Sequence, residues 1–99
     1  MSDTTALHKG LRVLKLLPGH AMHGLSNRQL SEATGLSPSA VTRIMTALME
    51  EGLAQRLDSG RFAPSMKLAQ FGLRTLDELD DASNRIHEIR GRLGTAIRH

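Results

Sequence analysis

Ser26-Asn27-Arg28-Gln29-Leu30-Ser31-Glu32-Ala33-Thr34-Gly35-Leu36-Ser37-Pro38-Ser39-Ala40-Val41-Thr42-Arg43 contains two helix starts and one helix stop. Ser26 and Gln29 stand at capping-box spacing, where the serine hydroxyl accepts from the third helical N–H and the glutamine reaches back. Leu25 and Leu30 occupy the hydrophobic-staple positions, and Leu30 and Ala33 are expected to face inward. Gly35 falls where a left-handed cap ends a short helix over about 27–34. Ser37 then caps a second helix, with Pro38 at the first position, where its missing N–H is harmless. This helix runs to about Glu51 with Gly52 as its cap, and Val41, Ile44, Met45 and Leu48 form its apolar stripe. Two short helices across a tight glycine-containing turn make a helix-turn-helix unit.

The flanks extend this unit. Downstream, Leu53–Leu57, the link Asp58-Ser59-Gly60 and Arg61–Pro64 predict a β-hairpin, with Pro64 at a strand end. In the first strand Leu53, Gln55 and Leu57 share one face, and Ala54 and Arg56 the other. A helix-turn-helix followed directly by a hairpin is a winged helix. Upstream, a helix from about Thr4 to Leu17 carries Leu7, Leu11, Leu14 and Leu17 on one face, with Asp3 or Thr4 as its cap. Pro18-Gly19 stops it. Lys9, Arg12 and Lys15 project away from that stripe, and a solvated face is favoured over phosphate contact for them as a group.

From Ser65 onward the pattern is helical. Met66, Leu68, Ala69 and Phe71 are expected to cover the base of the domain, with a bend at Gly72. Leu79, Ala82, Ile86, Ile89, Leu93 and Ala96 then repeat at coiled-coil spacing. A partner helix is favoured over back-packing as the cover for this stripe, so a homodimer is expected. Asp77, Glu78, Asp80 and Asp81 crowd the start of that helix, and Arg85, Arg90, Arg92 and Arg98 its end, an order that favours antiparallel pairing. The predicted class is therefore mostly α with a small β-hairpin: a winged helix-turn-helix over 1–72 and a linker or dimerisation helix over 73–99.

Composition narrows the function. The 99 residues are 39% apolar and 23% charged, ordinary values for one folded domain. Without cysteine there are no disulfides, Cys-based zinc sites or iron–sulfur clusters. His20 and His23 lie in a loop without further ligands nearby in sequence, so neither metal nor cofactor is expected. No glycine-rich phosphate cradle, membrane-length apolar run or secretory leader occurs, and the expected location is the cytoplasm, at the nucleoid. Nothing resembles a catalytic constellation, so an enzyme is not expected. Phe62 and Phe71 are the only aromatics, which argues against a base-stacking platform for single strands. Residues 1–67 carry eight Lys/Arg against five acids, whereas 68–99 balance, so the net charge of +3 resides in the first two thirds. This excess is compatible with nucleic-acid binding.

Ala6-Leu7 with Leu11–Leu17, Gly24-Leu25-Ser26 with Gln29–Leu36, and Ser37-Pro38-Ser39-Ala40-Val41-Thr42-Arg43-Ile44 together resemble the DNA-binding domain of the IclR family of bacterial transcription regulators. Glu51-Gly52-Leu53-Ala54, Gly60-Arg61-Phe62 and Leu68–Gly72 are similar to its wing and the lead into its linker helix, so the likeness spans about two thirds of the chain. Family members continue into an effector-binding domain of well over a hundred residues. This chain ends at His99, so no effector site is expected in it. It is either the DNA-binding fragment of a longer regulator or a short stand-alone one of the kind prophages carry.

Sequence-specific binding of double-stranded DNA is the leading expectation. The helix from Ser37 would enter the major groove, its small and polar outer face allowing close approach. Arg43 is the candidate for guanine, since its planar fork matches O6 and N7. The alternative for Arg43, a salt bridge with Glu50, is two turns away in one helix. Ser37, Ser39, Thr42 and Thr46 supply hydroxyls for bases or phosphates, and Ala40 could meet a thymine methyl. Arg61 on the wing is expected to enter the minor groove or hold a phosphate. Lys9, Arg28 and Arg56 are weaker phosphate candidates, Arg56 being equally well read as a solvated wing residue. The competing class is a winged-helix adaptor that binds protein through the C-terminal helix.

Overall fold

The computed structural model describes the backbone of residues 3–98 and the side chains of residues 5–93. Its elements are α1 (Asp3–Leu14), α2 (Asn27–Thr34), α3 (Pro38–Glu50), β1 (Ala54–Arg56), β2 (Phe62–Pro64) and α4 (Met66–Arg98). The chain divides into two compact units, 1–69 and 70–99, the division falling inside α4.

In the first unit the three helices and the hairpin enclose Val13, Leu17, Leu30, Val41, Met45, Ala54 and Phe62. Local chemistry sets the helix ends as predicted. Ser26 Oγ accepts from the Gln29 N–H at 3.1 Å, and Gln29 Oε1 accepts from the Ser26 N–H at 2.9 Å. Gly35 ends α2 with φ +75°, and Ser37 Oγ accepts from the Ala40 N–H at 3.2 Å to start α3. α3 closes in a Schellman motif: Gly52 N–H donates to Met49 O at 3.0 Å and Leu53 N–H to Leu48 O at 2.9 Å, satisfying two terminal carbonyls.

Three expectations change. α1 ends at Leu14 rather than Leu17, because the chain tightens into i→i−3 bonds, Leu16 N–H to Val13 O at 3.1 Å and Leu17 N–H to Leu14 O at 3.2 Å. Val13 and Leu17 become fully buried, whereas Leu7 and Leu11 stay 60% and 44% exposed beside an open groove between α1 and α3. The Asp3 and Thr4 caps lie outside the described side chains. In α2 the inward partner of Leu30 is Thr34, one turn on, and Ala33 is exposed. Thr34 is tolerated inside because its hydroxyl donates to Leu30 O at 2.7 Å and accepts from the Leu36 N–H at 3.2 Å. At the base, Met66 is 73% and Phe71 47% exposed, Ala69 is exposed, and only Leu68 is half-buried. Only the first turn of α4 belongs to the first unit, and α4 continues unbroken through Gly72.

The hairpin pairs Ala54 with Pro64, Gln55 with Ala63 and Arg56 with Phe62. Leu57 N–H donates to Arg61 O at 2.8 Å, and Gly60 takes φ +87° in the turn. A further bridge was not foreseen. Leu25 and Phe62 exchange two backbone hydrogen bonds of 2.7 Å, which adds the approach to α2 to the outer edge of the hairpin.

Candidate nucleic-acid interface

α3 presents its polar face because Val41 and Met45 are drawn fully into the core on the other side. Ser39, Thr42, Arg43 and Thr46 are exposed along that face, and Ala40 is half-buried. Their side chains are not equivalent. Ser37 is committed to the helix cap. Thr42 Oγ1 donates to Pro38 O at 3.0 Å and accepts from Asn27 Nδ2 at 2.9 Å, while Asn27 Nδ2 also lies 3.1 Å from Pro38 O. Thr46 Oγ1 donates to Thr42 O at 2.8 Å. Ser39 and Arg43 have no side-chain hydrogen bond or ion pair among the described residues. An exposed, unpaired guanidinium keeps its donors directed at solvent, where a base edge or a phosphate can take them.

The Asn27–Thr42–Pro38 triangle ties the first turn of α3 to the start of α2. Asn27 was not singled out from the sequence. The one available signal was its place immediately after a helix cap, and its partners lie 11 and 15 positions away.

The remaining cations are spread over several environments. Lys9 is half-buried and, with Arg43, lines the groove between α1 and α3, an apolar space of about 610 Å³ that also takes in Leu7, Leu11 and Ile44. Arg28 pairs with Glu32 at 3.0 Å, both side chains exposed, so water screens the pair. Arg12 is exposed, and its guanidinium donates to the Thr34 carbonyl at the C-terminal end of α2. A cation there favours the helix dipole and fills an otherwise open acceptor. Arg56 sits over the Phe62 ring at 5.0 Å from its centroid, within cation–π range.

Arg61 is the departure from the expected picture of a wing arginine. It is half-buried, and its Nε donates to His23 O at 2.9 Å. Its Nη2 donates to Gly24 O at 3.1 Å and to Gln29 Oε1 at 2.7 Å. No pattern near Arg61 signals these contacts, because the acceptors lie 32 to 38 positions back in the chain.

Along α4, Leu79, Ile86, Ile89 and Leu93 are 51–60% exposed and Ala82 is exposed; the Ala96 side chain lies outside the described residues. Among the described residues no group of three His, Cys, Asp or Glu could hold a metal ion, and no helix is long and apolar enough to cross a membrane.

A search of curated protein sequences finds no match. Among solved structures the chain is similar to the crystal structure of Pseudomonas aeruginosa HmgR, at 27% identity and a TM-score of 0.67. That match covers 77% of this chain and 32% of the other, so the present chain spans about a third of that protein. The model of the IclR helix-turn-helix domain matches residues 6–58, which takes in α1 from Ala6 onward, α2, α3 and the first strand of the wing. By that match, over more than half its length, the chain belongs to the IclR helix-turn-helix family.

Proposed function

We propose that this chain binds duplex DNA sequence-specifically, with α3 in the major groove and the wing on the adjacent backbone or minor groove. Membership of the IclR helix-turn-helix family and the likeness to HmgR support a DNA-binding transcription regulator. The observation that carries the finer reading is Arg43: exposed, without a side-chain partner among the described residues, and mounted on a helix whose first turn is tied to α2 through Asn27. A fixed mount is what a bidentate contact to guanine requires. Ser39 is the hydroxyl left for a base or phosphate, whereas Ser37, Thr42 and Thr46 act on α3 itself unless they exchange partners on DNA. Lys9, Arg28 and Arg56 supplement the field that attracts the backbone. The reading includes no enzyme activity, metal, cofactor or effector site in these residues, and a cytoplasmic, nucleoid-associated location.

A homodimer through α4 belongs to the same reading, placing two recognition helices on a two-part operator. The exposed α4 stripe also favours a second function, a protein-binding adaptor. Salt separates the two. Selected duplexes should bind with a steep loss of affinity between 50 and 200 mM salt, since DNA contacts release counterions. Arg43→Ala should cost about 1–3 kcal/mol on the selected site and relax base preference there. Equal affinities of wild type and Arg43→Ala for selected and random duplexes would remove α3 as the reader.

A further inference from the structure

We infer that Arg61 is a positioning residue that locks the wing to the start of α2, and that it does not itself hold the DNA backbone. The functional half of this inference rests on the DNA-binding reading above; the structural half stands on geometry alone.

Three chain segments meet at this guanidinium. From the hairpin side, Arg61 sends Nε to His23 O and Nη2 to Gly24 O and Gln29 Oε1. From the loop side, Leu25 exchanges both of its backbone bonds with Phe62, the residue after Arg61. From the helix side, the oxygen of Gln29 that receives Arg61 also receives the Ser26 N–H at 2.9 Å, so the arginine is built into the cap of α2. The junction has no spare room. Gly24 is buried at φ +69°, and a Cβ there would lie 2.7 Å from Phe62 O and 3.1 Å from Arg61 Cβ.

The side-chain type fits this role. Two nitrogens of a planar fork reach three separate acceptors, a pattern that a lysine, with all its donors on one atom, does not reproduce. The donors so used point back into the protein, in contrast to the exposed guanidinium of Arg43, which has no partner among the described residues. The wing tip at Ser59 and Gly60 therefore inherits its place from α2, which is also tied to the recognition helix through Asn27. Wing and recognition helix are thus referred to one element.

Four proteins decide the matter: wild type, Arg61→Ala, Arg61→Lys and Gly24→Ala, the last disturbing the junction while leaving the arginine in place. Amide exchange followed by NMR reports the junction directly, because the Leu25 and Phe62 N–H groups are the two bridge donors. Both should exchange about tenfold faster or more in all three variants, with Val41 and Met45 changed far less. On a 25-base-pair duplex of random sequence, Arg61→Lys should lose affinity as Arg61→Ala does, by roughly fivefold, despite keeping its charge. Wild-type affinity in Arg61→Lys alongside a loss in Arg61→Ala would overturn the inference and return Arg61 to the phosphate. Unchanged exchange at Leu25 and Phe62 in Arg61→Ala would overturn it as well. If wild type bound no duplex at all, the DNA-binding reading would fail, and the exchange rates would still uphold or overturn the lock.

Discussion

Thr34 is the one buried polar side chain among the described residues, and it shows what a single hydroxyl does in this fold. It serves Leu30 O on one side and the Leu36 N–H on the other, at the point where α2 turns towards α3. Thr34→Val keeps the shape and removes both bonds, leaving the Leu36 amide short of an acceptor. A loss of about 1–3 kcal/mol is expected, seen as a lower urea midpoint at unchanged slope. An unchanged midpoint would show that water replaces the hydroxyl. Residue roles were legible in the sequence where the chemistry is local. The helix-end roles of Ser26, Gln29, Gly35, Ser37 and Pro38 are played within four positions of each residue, and each does there what its spacing implies, although Gln29 and Pro38 also accept from the distant Arg61 and Asn27. Arg12, Asn27 and Arg61 act on carbonyls 11 to 38 positions away, and apart from the place of Asn27 just after a helix cap nothing beside them in the chain distinguishes them from solvated polar residues.

At the scale of elements, caps and periodicity together identified every helix, but periodicity placed faces less well. In α1 the stripe of Leu7, Leu11, Leu14 and Leu17 holds at its C-terminal end, where Leu17 is fully buried and Leu14 half-buried, but Leu7 and Leu11 stay exposed and Val13, outside the stripe, joins the core. The hairpin was legible from the Asp58-Ser59-Gly60 link, while its bridge to Leu25 was not, since an isolated pair of residues carries no alternation. α4 poses the converse case. Its stripe is regular in sequence, and Leu79, Ile86, Ile89 and Leu93 remain more than half exposed. An antiparallel second copy would set Asp77, Glu78, Asp80 and Asp81 beside the partner's Arg85, Arg90 and Arg92. Each such pair contributes little by itself, about 0.2–1 kcal/mol, but a parallel arrangement would reverse several signs together. Ile86→Asp combined with Ile89→Asp should sediment as a folded monomer at tens of micromolar, where wild type sediments as a dimer. A wild-type monomer under those conditions would sink the pairing, and crosslinks from residue 78 to its own copy would sink the orientation.

Over the whole first unit, winged-helix topology follows from the order of helices and hairpin, and the sequence conveyed it because each element announces its own start and stop. What holds the finished unit together is distributed differently. α2 packs on α3 as a neighbour in the chain and α1 reaches α3 across the whole of α2, whereas the bridge between Leu25 and Phe62 closes a span of 37 residues for a single residue pair. Closing a long loop is entropically costly until the contacts it brings are in place. Because the bridge returns one isolated pair for the span it closes, while the helices bury a shared core, the helices are expected to assemble first and the wing to dock last, after the folding barrier has been crossed. Phe62→Leu should then raise the unfolding rate severalfold and leave refolding within about twofold of wild type, which stopped-flow measurements across a urea series would resolve. A refolding rate that falls in step with stability would instead place the joint inside the nucleus. With late docking, the time the protein survives before it unfolds is governed by the seam at the wing, while the speed with which it is made is governed by the helices.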